Sequence, residues 1–189
     1  QEMLKKNPQP AANAIDTSNW KTYRNEKYGF EVRYPFDWML ETRRDTEGAT
    51  LKKRNATWSY PSSTDPIDAL IHIDIIKNPK RLTLQGMFNE WHEACEKSDV
   101  ALGLGCPIPD DIMKWKQIQV GRMLALRSGK RFLPEGPEAD SIYINKTDYY
   151  ILFEGWYYNP NYDSDFTGIF DQILSTFKFI PFTSSGQAP

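Results

Sequence analysis

The sequence predicts an α+β fold, an α/β/α sandwich in which two helices cover opposite faces of a mainly antiparallel sheet. Three observations lead there. In residues 69–76, ALIHIDII, strand period puts Ala69, Ile71, Ile73 and Ile75 on one wholly apolar face and Leu70, His72, Asp74 and Ile76 on a mixed one. Two further segments carry apolar residues at helical spacing. Leu84, Met87, Phe88, Trp91, Ala94 and Cys95 form one such stripe, and Phe166, Ile169, Phe170, Ile173, Leu174 and Phe177 form the other. Finally, the strand-like segments follow one another through short turns, as hairpins do, yet several are apolar on both faces. An antiparallel sheet commonly covers only one face, so apolar residues on both call for a layer on each side.

The elements follow in order. Trp20 to Arg24 alternate weakly, Asn25 to Gly29 supply turn residues, and Phe30-Glu31-Val32-Arg33-Tyr34 alternate before Pro35, which cannot donate to a ladder. Residues 35–38 should therefore leave the sheet, with Trp38 capping the end of the core. A strand is expected near 49–54, then the alternating segment 69–76, closed by Asn78-Pro79-Lys80. Thr83 offers an N-cap to the first helix, expected over 83–97. Residues 99–111 read as a Gly- and Pro-rich loop. Strand candidates follow at 113–120, 121–133 and 141–158, the last divided into two at Lys146-Thr147. The second helix is expected over 164–177, with Ser164 or Asp165 as cap. Both helices should bury their stripes through Phe88, Trp91, Phe170 and Ile173.

The 189 residues are the length of one domain and long enough to bury a core unaided. Hydrophobic residues make up 40% and aromatics 14%, a globular composition. A net charge of −2 gives no electrostatic reason to expect nucleic acid or an anionic membrane as partner. The basic runs Arg43-Arg44 and Lys52-Lys53-Arg54 stand among acidic residues and read as solvated faces. No stretch reaches the roughly 18 apolar residues of a membrane span. Residues 1–19 are polar, with Pro8 and Pro10 and no amphipathic period, and read as a flexible N-terminal tether. An export signal or membrane anchor is expected upstream of it, a trimmed cytoplasmic protein being the alternative. The folded domain is assigned to 20–180 and a loose tail to 181–189.

Two motifs at opposite ends of that domain carry a family resemblance. Tyr28-Gly29-Phe30-x-Val32-x-Tyr34-Pro35-x-x-Trp38 and the closing Ile173-Leu174-Ser175-Thr176-Phe177-Lys178-Phe179 resemble the PsbP-like family. Its members include an extrinsic photosystem II subunit of the lumen, a Ran-binding import protein of yeast and many secreted or lipid-anchored bacterial proteins. The resemblance implies an α/β/α sandwich and a binding or assembly role, with no shared catalytic set to transfer. Together with the tether it points to the exported bacterial branch, extracytoplasmic and secreted or membrane-anchored. In such proteins the first motif is scaffold: Gly29 permits the turn, Phe30, Val32 and Tyr34 feed the core, and Trp38 plugs an end.

Candidate chemistry is sparse. There is no G-x-S-x-G, no G-x-x-x-x-G-K and no G-x-G-x-x-G, and His72 and His92 lack a nucleophile at motif spacing. Asp110-Asp111, beside Pro109, read as a turn. Cys95 and Cys106 are a single pair in a chain that looks exported, which suggests one disulfide worth on the order of 2 to 3 kcal/mol. Free buried thiols are the alternative in a cytosolic setting. A zinc site of His92, Cys95 and Cys106 lacks an obvious fourth ligand. Trp156, Tyr158 and Tyr162 belong to an aromatic run that is either a core edge or a platform for sugars or a peptide. Asn55-Ala56-Thr57 and Asn145-Lys146-Thr147 are glycosylation sequons, relevant only to a eukaryotic secretory protein. The reading is a non-enzymatic, exported binding or assembly module, monomeric and without a cofactor or metal, engaging a protein of the cell envelope. The alternative is a small-ligand or carbohydrate binder using the rim near Trp156 and Tyr162.

Overall fold

The computed structural model describes residues 16–44, 47–53, 69–97, 115–129, 131–132, 138–157 and 163–181. Eleven strands are described: β1 (Lys21–Asn25), β2 (Phe30–Tyr34), β3 (Met39–Arg43), β4 (Gly48–Lys53), β5 (Ala69–Lys77), β6 (Lys116–Val120), β7 (Met123–Arg127), β8 (Arg131–Phe132), β9 (Glu138–Lys146), β10 (Tyr149–Tyr157) and β11 (Lys178–Phe179). Two helices accompany them, α1 (Leu84–Glu96) and α2 (Asp163–Ser175). The strands form two sheets in which all pairings are antiparallel. The larger runs β3-β4-β5-β10-β9-β7-β6 with β8 against β9, and the smaller runs β1-β2-β11.

Strand period decides the layers. On β10, Ile151 and Phe153 point to one face and Tyr150 and Leu152 to the other, all buried. The first face carries the main core, where Ile71, Ile73, Ile142 and Ile144 meet Phe166, Phe170 and Ile173 of α2. The small sheet lies on the same face, contributing Tyr23, Phe30, Val32 and Tyr34 to that core. Gly155 keeps the strand low beneath α2: a Cβ there would stand 3.0 Å from the Phe166 ring. The second face carries a smaller cluster in which Leu84 and Phe88 of α1 cover Tyr143, Tyr150 and Leu152. The helices thus cover opposite faces of one sheet, as the two-sided strands require.

The first and closing motifs meet. Lys178 and Phe179 pair with Glu31 and Phe30, the Arg33 amide donates to Thr176 Oγ1 at 2.8 Å, and the Phe30 and Phe177 rings lie 5.6 Å apart. Gly29 turns the β1–β2 hairpin at φ 64°, a left-handed conformation that glycine adopts without Cβ strain. Trp38 is 1% exposed, in a turn whose amide donates to the Pro35 carbonyl at 3.1 Å. The first motif is therefore scaffold, and the closing motif is its partner.

Several details differ from the sequence reading, among them the expected strand 121–133, which is two strands, and the second helix, which ends at Ser175 and not at 177. The sheet is divided in two, because β2 takes β11 rather than a strand of the large sheet as its second neighbour. A strand, β3, follows Trp38 directly; its burial is slight, so no apolar period marks it. Trp91, expected in the core, is 56% exposed: Phe88 faces the sheet, and Trp91 lies farther along the helix, touching the edge of the Phe88 ring. Ser164 and Asp165, expected as caps, fall inside the first turn of α2, which begins at Asp163. The Thr83 cap is present, its Oγ1 accepting from the Gly86 amide at 3.1 Å.

Glu47 ties the β1–β2 turn to the large sheet. Its carboxylate accepts from Lys27 at 2.7 Å and from the Tyr28 hydroxyl, with Lys77 at 3.7 Å. Lys27 first, and Tyr28 next, hold its pKa down from 4.5 to about 2. A carboxylate depressed on folding stabilises above its unfolded value, and the contribution fades as pH falls through the folded one. Between pH 4.5 and about 2 the wild-type urea midpoint should therefore drop further than that of Glu47→Gln. Parallel curves for the two proteins would show that Glu47 contributes nothing to acid sensitivity.

Candidate functional site

Among the described residues, the α1 face of the large sheet is left partly open. Its construction starts at Asn78, 4% exposed, which ends β5. The Asn78 amide donates to the Asp148 carbonyl at 2.8 Å, while its side chain accepts from the Leu82 amide and donates to the Leu82 carbonyl, both at 2.9 Å. Tyr150 donates to the same carbonyl at 2.7 Å. This locked bend, with Arg81 at φ 54°, delivers the chain to Thr83 and fixes where α1 begins. The helix then covers β9 and β10, and among the described residues no element covers the β7–β6 side.

Two adjoining hollows occupy that side, sharing Thr83, Leu124 and Asn145. The first, of about 530 Å³, lies toward the hairpin tips, between Arg81, Arg122, Met123 and Thr147. The second, of about 540 Å³, is lined by Gln85, Trp115, Gln117, Leu126 and Tyr143. Its aromatic wall is rigid: Trp115 stacks on Tyr143 at 5.4 Å, and Phe88 packs edge-on against both at 5.3 and 5.6 Å. Leu124, projecting from β7, is 63% exposed at the junction. The sequence shows Leu124 and Leu126 as apolar on a two-sided strand, but not that α1 stops short of them.

Farther along the same face runs a polar row set by the register Thr50↔His72, Glu154↔His72 and Glu154↔Ser141. His72 Nδ1 lies 3.0 Å from Thr50 Oγ1 and 3.2 Å from Arg43 Nη1. A guanidinium can only donate, so Nδ1 accepts and the imidazole proton sits on Nε2. Burial, and then the Arg43 charge, lower the His72 pKa and favour this neutral ring. Arg43 also reaches Asp74 at 3.2 Å. Ser141 donates to Glu154 at 3.0 Å and so is paired with a carboxylate, not with an imidazole. These pairs tie β3 and β4 to β5, and β9 to β10.

Trp156 stands at the end of this row, half-buried, its ring edge-on to His72 at 5.9 Å. Its indole Nε1 is buried without a hydrogen-bond partner among the described residues. Tyr158 and Tyr162, the other members of the aromatic run, lie outside the described residues. So do Cys106, Asp110, Asp111 and Asn55, and the Cys95 side chain. The Cys95 backbone lies in the last turn of α1, where the helical stripe places it. Asn145 is exposed next to the β9–β10 turn and lines both hollows. Among the described residues no three His, Cys, Asp or Glu side chains converge to hold a metal. No described helix is long and apolar enough to cross a membrane.

Comparison with known proteins bears on this architecture. No family model and no curated protein matches the sequence. Among solved structures, cyanobacterial PsbP (CyanoP) from Synechocystis sp. PCC 6803 aligns over 92% of this chain and 99% of its own, with a TM-score of 0.54 and 12% identity. The fold is PsbP-like. A Bacteroides thetaiotaomicron protein aligns over 89% of this chain at 14% identity and a TM-score of 0.44, this chain spanning about half, 51%, of its length. The Ran-binding protein Mog1p of Saccharomyces cerevisiae aligns over 86% of this chain and 96% of its own, at 11% identity and a TM-score of 0.47.

Proposed function

We propose that this PsbP-like domain is a non-enzymatic, exported binding module that engages a protein of the cell envelope through the open half of its α1 face. The observation that carries the reading is Leu124, 63% exposed at the junction of the two hollows, on the side of the sheet that no described element covers. Large side chains beside a preformed apolar concavity are typical of a surface that is covered in a complex. The non-enzymatic part is supported by the polar row, in which Thr50 and Arg43 engage His72 and Ser141 engages Glu154. Immobilised wild-type protein should retain an envelope protein that Leu124→Asp, with unchanged melting, fails to retain. Equal retention by both would remove the α1 face from the reading.

Export brings a second expectation, a Cys95–Cys106 disulfide. Unreduced protein should then weigh two hydrogens less than reduced protein, and alkylation of both thiols in the native state would count against an oxidising compartment. The unpartnered Trp156 indole beside a neutral His72 favours one other reading, a small-ligand or carbohydrate binder at the aromatic rim. Glycan binding that disappears in folded Trp156→Ala would promote it, and its absence in the wild type would end it.

A further inference from the structure

We infer that the two hollows together form a peptide-docking groove for a segment that carries an apolar anchor beside acidic residues. The inference rests on the reading of the α1 face as a docking surface and names the chemistry of what docks there. Its first support is the division of the groove. The hollow toward Trp115 and Tyr143 has rigid aromatic walls and neutral amides from Gln85 and Gln117. The hollow toward the hairpin tips holds the two arginines, Arg81 and Arg122. Each is within the roughly 300 to 1,000 Å³ of ordinary ligand sites, room for side chains of a peptide.

The second support is charge. None of the described residues lining either hollow carries a carboxylate, although the chain as a whole has a net charge of −2. Arg81 is partly neutralised by Asp148 at 2.9 Å. Arg122 forms no ion pair among the described residues. It is held in place by the turn that bears it: Gly121, at φ 58°, opens a two-residue hairpin between Val120 and Met123, which leaves Arg122 at the tip. The first turn of α1, whose Leu84 and Gln85 line the second hollow, holds no acidic residue, so its amide ends add to the positive potential there. An apolar anchor between Trp115 and Leu126 places the neighbouring residues of a peptide over Leu124 and beside Arg122. There a carboxylate is favoured and an ammonium is repelled.

The test is selection of a random 12-residue displayed peptide library on the full chain, followed by affinity measurement of a synthetic winner. Enriched peptides should place Asp or Glu within a few residues of Leu, Ile or Phe. Arg122→Glu should weaken the winner about five- to tenfold, and raising salt should weaken wild-type binding in the same direction. Leu124→Asp should abolish it. Arg122 and Leu124 are both exposed, so the variants should melt as wild type does, which circular dichroism checks. Neutral or basic winners, or an affinity unchanged by Arg122→Glu, would overturn the acidic preference while leaving the docking face intact if Leu124→Asp still acts. A winner indifferent to Leu124→Asp would overturn both.

Discussion

Trp38→Ala is expected to destabilise the domain by about 3 to 5 kcal/mol, whereas Phe36→Ala, two residues earlier, should change it by no more than about 0.5 kcal/mol. The contrast comes from a turn. Pro35 ends β2, the Trp38 amide closes back on its carbonyl, and the chain reverses with Phe36 outside and Trp38 inside. Phe36 is 60% exposed and Trp38 1%. Truncating Trp38 removes the contacts of a whole indole and leaves a cavity in the main core. Against a total stability of about 5 to 15 kcal/mol, the loss is a large fraction of what holds the fold. Urea denaturation of the two variants measures it. If Phe36 were a core residue and Trp38 a ligand platform, the order would reverse.

The same segment shows how far sequence reaches. Strand period assigns Phe30, Val32 and Tyr34 to one face correctly, because burial on a pleated strand is a property of the strand alone. Which strand lies alongside is a property of the whole chain. The pairing of β2 with β11 joins residues from opposite ends of the domain, and nothing in FEVRY announces it. β3 escaped for the opposite reason: MLETR lies at the edge of the large sheet with little burial, and an exposed edge leaves no apolar signature. Of the candidate site, Trp156 was legible as an aromatic at a strand end. The groove was not, because it exists only where a helix from residues 84–96 fails to cover strands from residues 116–127. Trp91 illustrates the point: its position on the apolar stripe is right, and the sheet beneath it is taken by Phe88.

Arg127 carries the second large expected effect, and it too had no sequence signal. Its guanidinium lies on the α2 face, donating to Asp140 from Nε at 2.7 Å and, from Nη1, to Asp171 of α2 at 2.7 Å. It also stands over the Phe170 ring at 5.9 Å. Burial alone would lower its pKa, but the hydrogen bond and charge of Asp140, with Asp171 behind them, raise it instead. The Asp140 side chain is 6% exposed, and its Oδ1 has no hydrogen-bond partner among the described residues. Arg127 is therefore the main compensation for a buried carboxylate. Arg127→Met should cost about 3 to 5 kcal/mol, because it keeps the buried charge and removes its partner. Arg127→Met combined with Asp140→Leu should recover much of that loss, since an apolar pair of similar volume has no charge to desolvate. Denaturation midpoints of the four proteins of the cycle, at neutral pH, test both statements. Additive losses would mean that Arg127 serves the fold through its packing on Phe170 and not through charge.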